Sequence, residues 1–176
     1  TGVTDSVVKR LVSAGIAEFY DKEVLRDPKK PAVKMQIEKT SLTQQQKKAL
    51  SGLLDDLKKA PCTSLLYGVT GSGKTQVYLS LIDEVIKTGR GIIVMVPEIS
   101  LTPQTLDIFT KRYGNNLALF HSGLSLGERL DEYKRVKKGL AKIVIGTRSA
   151  VFAPFEKVGL IIMDEEQEYS YKSESS

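Results

Sequence analysis

Apolar residues along this chain fall into two alternating patterns. Ser64-Leu65-Leu66-Tyr67, Ile92–Val96, Leu117–Phe120, Ile143–Ile145 and Leu160–Met163 are short, nearly continuous runs. Such runs, bounded by turn residues, predict strands of a parallel sheet buried on both faces. Between them the spacing changes to that of a helix. Val77, Leu81, Ile82, Val85 and Ile86 share one helical face, as do Ala49, Leu50, Leu53, Leu54 and Leu57. Further helices are predicted after Pro97–Gln104, running on to about Tyr113, and over residues 125–138, with Ser41 or Thr43 capping the one that carries Ala49 to Leu57. Strands alternating with helices predict an open parallel α/β sheet. Ligands of such sheets sit outside the carboxyl ends of the strands.

Residues 1–40 have a different texture. Asp5 or Ser6 can cap a helix carrying Val7, Val8, Leu11 and Val12, which ends at Ala14-Gly15. Ile16–Tyr20 reads as a strand, Asp21-Lys22 as a turn and Glu23-Val24-Leu25 as the partner strand. Helix plus hairpin is the second half of a winged helix, too small here to bury a core of its own. Arg26–Pro31 reads as a proline-bounded linker, so the expected units are residues 1–40 and 41–176.

Composition narrows the function classes. The hydrophobic fraction is 41% and the charged fraction 27%, values of a globular chain. No apolar run approaches the ~18 residues of a membrane span, and no signal-peptide pattern is present. A first residue other than Met suggests an internal piece of a longer protein. The lone Cys62, read as a small apolar residue, excludes a disulfide framework within the chain and suits a reducing cytoplasm. The net charge of +5 permits an anionic partner. Its distribution is uneven: Asp164, Glu165, Glu166, Glu168 and Glu174 face only Lys172 in the tail, whereas Lys134, Arg135, Lys137, Lys138 and Lys142 cluster upstream. That cluster is read as a solvated helix face.

The chemistry starts at Gly68-Val69-Thr70-Gly71-Ser72-Gly73-Lys74-Thr75, which fits G-x-x-x-x-G-K-[ST] between a predicted strand and a predicted helix. Its glycines let backbone N–H groups wrap an anion at the positive end of a helix. Lys74 is placed to reach the β- and γ-phosphates, and the Thr75 hydroxyl to ligate Mg²⁺. The last apolar run ends in Asp164-Glu165, which supplies what a nucleoside triphosphatase needs opposite such a loop. Asp164 would hold Mg²⁺ and Glu165 would position or deprotonate the attacking water. No N-K-x-D stretch reads guanine, so ATP is the expected nucleotide. A glutamine ahead of the loop can bond an adenine edge through its amide.

These motifs occur in a set order: Gly68–Thr75, Pro97–Gln104, His121-Ser122-Gly123-Leu124-Ser125 with Glu128-Arg129, Gly146–Ala150, and Asp164–Glu168 followed by Ser170-Tyr171-Lys172. Together they resemble the primosomal protein N′ family, the replication-restart helicases of superfamily 2. The resemblance implies that residues 41–176 are a first RecA-like lobe of the P-loop NTPase class, preceded by the winged-helix remnant. It implies an ATP-driven 3′→5′ DNA translocase, bacterial, cytoplasmic and nucleoid-associated. Its partners would be single-stranded and forked DNA, primosome proteins and single-strand-binding protein, with no membrane. Gln46 matches the adenine-side glutamine. Gly71, Gly73, Lys74 and Thr75 match the phosphate and Mg²⁺ contacts, and Asp164 and Glu165 the acidic box. Ser100, Thr102 and Gln104, with Thr147 and Arg148, lie in the loops that face DNA or couple it to ATP. His121 is read as a loop residue rather than a ligand.

Two departures accompany the resemblance. Gln167 stands where the family's D-E-E-H box has histidine, and glutamine cannot carry a proton. The zinc-binding cysteines, the second lobe and its arginines are expected downstream, so the piece alone is expected to be catalytically incomplete. Two other readings compete: a DNA-binding module whose nucleotide site only regulates it, and a small-molecule P-loop kinase. The kinase reading lacks an arginine-bearing lid and an acceptor pocket.

Overall fold

The computed structural model describes residues 4–20, 41–59, 61–168 and 171. Four strands, β1 (Gly91–Met95), β2 (Leu117–Phe120), β3 (Ile143–Gly146) and β4 (Val158–Met163), form one sheet in the order β2-β3-β1-β4. All pairings are parallel, with Ile93 of β1 in register with Val144 on one side and Ile161 on the other. β1 is buried along its whole length.

The helices are α1 (Asp5–Ser13), α2 (Gln44–Leu57), α3 (Lys74–Val85), α4 (Pro103–Tyr113) and α5 (Leu126–Lys137). Alternation along each strand sends side chains to opposite faces. Ile92, Val94, Val96, Leu117, Ile143 and Ile145 meet Tyr78, Leu79, Ile82 and Val85 of α3 and Phe109 and Tyr113 of α4. Ile93, Met95, Ala118 and Val144 meet Val136 of α5 and Ala150 on the other face. Both faces are covered, which is why these strands read as continuous apolar runs.

Local signals set the helix boundaries. Thr43 and Gln46 form a reciprocal capping box on α2, and Ser125 and Glu128 do the same on α5. Thr102 caps α4, with Pro103 at its first position, where a missing N–H costs nothing. For α1 the residue at the cap is Thr4 rather than Asp5 or Ser6, and Gly15 turns the chain left-handed beyond the helix.

Several expectations need correction. Ser64–Tyr67 is not a strand: Leu65 is 76% and Tyr67 90% exposed, and both sides of β1 are already taken by β3 and β4. An apolar run becomes a strand only by pairing, and none of the described residues pairs with this one, although β4 has a partner on one side alone. Ile16–Tyr20 is likewise exposed and pairs with none of the described strands, and its expected partner at 23–25, with the linker at 26–31, lies outside the described residues. Cys62 is exposed, with Sγ 3.2 Å from the Asp56 carbonyl. Arg135 does not belong to a solvated face, because it is buried beside Glu132.

That buried pair finishes one border of the sheet. Glu132 accepts the Leu119 N–H at 2.9 Å, and Arg135 donates to the Leu117 carbonyl at 3.2 Å and the Asn115 carbonyl at 2.7 Å. The two side chains also bond each other at 2.7 Å. They satisfy groups along β2 that a further strand would otherwise satisfy, and each charge has a partner, as burial requires. On the opposite border, Val158, Ile161 and Met163 of β4 stay exposed.

Candidate nucleotide-binding site

Because the strands are parallel, their carboxyl ends gather on one side of the molecule. Ser100, Thr102 and Gln104 follow β1, Thr147 and Arg148 follow β3, and Asp164 and Glu165 follow β4. The start of α3 joins them there through Tyr78.

The glycine loop runs directly into α3. Ser72 N–H donates to the Val69 carbonyl at 3.1 Å, closing a turn, and Gly71 and Gly73 adopt positive φ of 78° and 80°. Gly73 is required twice over. Its φ lies in the left-handed region, and a Cβ there would stand 2.4 Å from Gln46 Nε2. As the N-terminal boundary of α3 it supplies no side-chain cap, and the first turn holds no acid. The positive end of α3 therefore meets no carboxylate of its own, which suits an anion. Lys74 Nζ reaches back to the Gly68 carbonyl at 2.7 Å and the Val69 carbonyl at 3.3 Å, which places its ammonium within the loop.

Gln46, the residue expected at the adenine edge, bonds two backbone groups here. Its Oε1 accepts the Thr43 N–H at 2.9 Å, and its Nε2 donates to the Ser72 carbonyl at 3.1 Å. One side chain thus closes the α2 capping box and braces the glycine loop. An adenine edge would have to compete with both bonds.

The acidic side is anchored by the sheet. Asp164 N–H donates to Met95 O at 2.9 Å, extending the β1–β4 pairing by one step. Its Oδ2 accepts the Tyr78 hydroxyl at 3.3 Å and its carbonyl accepts the Tyr171 hydroxyl at 2.9 Å. Tyr78 lies one turn beyond Lys74 on α3, so its bond to Asp164 ties the helix that follows the glycine loop to the acidic turn. Burial pushes the Tyr78 hydroxyl up to about 12, with the Asp164 charge adding to the shift. Burial raises Tyr171 as well, again assisted by Asp164.

Glu165 is the one described non-glycine residue with positive φ, at 50°. That conformation costs energy for a residue bearing Cβ, and such residues cluster at functional sites. The turn closes with Glu168 N–H on the Glu165 carbonyl at 2.9 Å, while Gln167 Nε2 donates to Glu165 Oε2 at 2.5 Å. The glutamine in the expected histidine position therefore fastens the carboxylate expected to act on water.

The remaining loops are tied to one another. Ser122 bonds the Glu98 carboxylate, and Arg129 donates to the Ser122 carbonyl at 2.7 Å. His121 Nδ1 accepts the Gly123 N–H at 3.2 Å, a local turn contact. Thr102 spends its hydroxyl on the α4 cap, whereas Gln104 and Arg148 are exposed and Ser100 and Thr147 half-buried. Sequence reasoning passed over Tyr78 and Glu98. Tyr78 was accessible in principle, since position i+4 from Lys74 lies on the same helical face.

Thr75 and Asp164 offer hard oxygen donors of the kind Mg²⁺ takes, and the glycine loop offers amides to phosphate. Among the described residues no cluster of three or more His, Cys, Asp or Glu exists to hold another metal. No described helix is long and apolar enough to cross a membrane.

With this geometry in place, the sequence profile of the DEAD/DEAH box helicases matches residues 41–176, and the chain belongs to that family. Its parallel sheet with flanking helices is that of a RecA-like helicase lobe. Within the family it is similar to replication restart proteins PriA. It is 43% identical to that of Bacillus subtilis over 99% of this chain and 22% of the relative. It is 42% identical to that of Synechocystis over 95% and 20%, and 36% identical to that of Chlamydia muridarum over 98% and 23%. The chain thus spans about a fifth of the length of these curated relatives. A solved SWI2/SNF2 ATPase C-terminal domain of Sulfolobus solfataricus matches more distantly, at 20% identity and TM-score 0.38 over 64% of this chain and 51% of that one.

Proposed function

We propose that this chain is the ATP-binding lobe of a DNA helicase that moves 3′→5′ on single-stranded and forked DNA in replication restart. The observation that carries the nucleotide reading is the Tyr78–Asp164 bond, which joins the helix opening at Lys74 and Thr75 to the acidic box. The names of the relatives support the restart role.

In this reading the amides of Gly71, Gly73, Lys74 and Thr75 bind phosphate oxygens, with Val69, Thr70 and Ser72 shaping the turn. Lys74 exchanges its two loop carbonyls for the β- and γ-phosphates. Thr75 and Asp164 would hold Mg²⁺, which neutralises phosphate charge when bound. Glu165, oriented by Gln167, takes a proton from the attacking water or aligns it. Ser100, Thr102, Gln104, Thr147 and Arg148 are proposed to face the DNA strand. Contacts there would be to phosphate, hence insensitive to sequence and steeply weakened by salt.

The positive charge that completes phosphoryl transfer is proposed to come from a second lobe. Such an arginine is worth roughly 10³–10⁵ in rate, so the 176-residue chain should bind ATP and turn it over barely above background. Titration calorimetry with Mg·ATP tests the core of the proposal. Binding that is lost or weakened in a folded Lys74→Ala protein supports it, and unchanged affinity overturns it.

A further inference from the structure

The amino ends of the parallel strands form the side of the sheet away from the nucleotide loops. There the segments entering β1 (Thr88–Gly91), β3 (Gly139–Lys142) and β4 (Phe155–Lys157) enclose a groove of about 410 Å³ with the end of α5. The groove is tightly fitted at Gly91. Phe155 packs on Gly91 so closely that a Cβ there would stand 2.3 Å from the ring.

The lining is cationic. Arg90, Lys137, Lys142 and Lys157 contribute to it, against Glu156 as its one carboxylate. Arg90, Lys137 and Lys157 are exposed, and no salt bridge among the described residues engages any of the four. Helix electrostatics account for part of this. Lys137 ends α5, and Lys142 Nζ lies 3.6 Å from where a Gly139 Cβ would stand, so both sit near that helix's negative end. Arg90 likewise follows the end of α3 and its 3₁₀ extension Ile86–Thr88, whereas Lys157 comes from a loop with no helix terminus of that kind to serve. Three separate segments converge on like charge, which repels itself unless an anion lies between.

The chemistry of the lining selects among anions. Proteins that grip single strands stack bases on accessible aromatic rings. Phe155, the aromatic residue of this groove, is half-buried against Gly91 and unsuited to stacking. A duplex hides its base faces, and contacts to its phosphates need no stacking surface. We propose that the amino edge of the sheet is a second nucleic-acid contact, binding the phosphate backbone of duplex DNA without regard to sequence. This surface is separate from the carboxyl-end loops proposed for the single strand.

Fluorescence anisotropy of the 176-residue chain with a labelled duplex and with labelled oligo-dT, over a range of salt, tests the assignment. Replacing Lys142 and Lys157 by Gln should weaken duplex binding roughly tenfold at low salt and lower the salt slope by about 1.8, two phosphate contacts at about 0.9 each. Oligo-dT affinity should change less than about twofold, because single-strand contacts lie elsewhere. Glu156→Gln should do the opposite and tighten the duplex severalfold, so a loss of fold cannot mimic the pattern. Retained Mg·ATP binding in each variant confirms an intact lobe. Three results would overturn the proposal: unchanged duplex affinity and slope in the Lys142/Lys157 variant, an equal loss on oligo-dT, or a polyglutamate peptide or inorganic phosphate that occupies the wild-type groove more tightly than duplex does.

Discussion

Asp164 and Lys74 belong to two halves of one site, and the fold holds those halves by different means. The acidic half is an extension of the sheet: Asp164 donates its N–H to Met95 O, and its other polar groups are bonded by Tyr78 and Tyr171. The glycine loop has no such support, since Ser64–Tyr67 before it pairs with no described strand. It is held from the helical side, by Gln46 on Ser72 O and by Lys74 on Gly68 O and Val69 O. A rigid carboxylate therefore faces a cradle suspended from side-chain bonds. Substitutions should separate the two halves, which meet through the bond of Tyr78 on α3 to Asp164.

The largest separation is expected at Glu165. Within a full-length protein carrying this chain, Glu165→Gln should keep Mg·ATP affinity and lose about two orders of magnitude or more in turnover. Wild-type hydrolysis rates in that variant would assign the base elsewhere. Lys74→Ala should act on the other half, lowering affinity several-fold or more through the lost charge-assisted bonds. Asp164→Ala should instead weaken the dependence on Mg²⁺, readable by calorimetry across magnesium concentrations.

Alkaline pH probes the hinge between the halves. The Tyr78 hydroxyl is raised to about 12 by burial, so the unfolded chain releases its proton near pH 10 while the folded chain keeps it. More protons bound in the native state means that stability falls as pH rises. The contribution is fully present below pH 10 and is lost progressively toward pH 12, about 2–3 kcal/mol for a shift of this size. Tyr113 and Tyr171 are shifted the same way, chiefly by burial. Thermal melts from pH 9 to 12 should show the decline, and Tyr78→Phe should flatten part of it.

The smallest effect is expected at Gln46. Removing its amide in Gln46→Ala should cost about 1 kcal/mol from the α2 capping box. It should also weaken Mg·ATP a few-fold by loosening Ser72, while leaving magnesium dependence unchanged. A loss of adenine-over-guanine preference without a stability change would instead show that the amide reads the base.

Much of this molecule was legible from local pattern. The four runs that became β1 to β4, the capping residues Thr43, Thr102 and Ser125, and the G-x-x-x-x-G-K-T loop are written in neighbouring residues. Backbone geometry makes such signals local: strands repeat every two residues, helices every 3.6, and caps act within one turn.

Pairing is different, because a side chain's partner is set by which elements meet. Arg135 sits among lysines in the sequence, yet packing of α5 on β2 buries it against Glu132 and the strand backbone. Ser64–Tyr67 has a strand's composition, yet β3 and β4 occupy both sides of β1. Gln46 lies 26 residues from Ser72 and Tyr78 lies 86 from Asp164, distances at which no spacing rule operates. The sequence alone determined the glycine loop, the acidic turn and the parallel α/β class, because each rests on contiguous backbone preferences. Only the tertiary structure decided which hydroxyl of α3 meets Asp164 and which cations share the groove beyond β1, because those neighbours arise from the docking of separate elements.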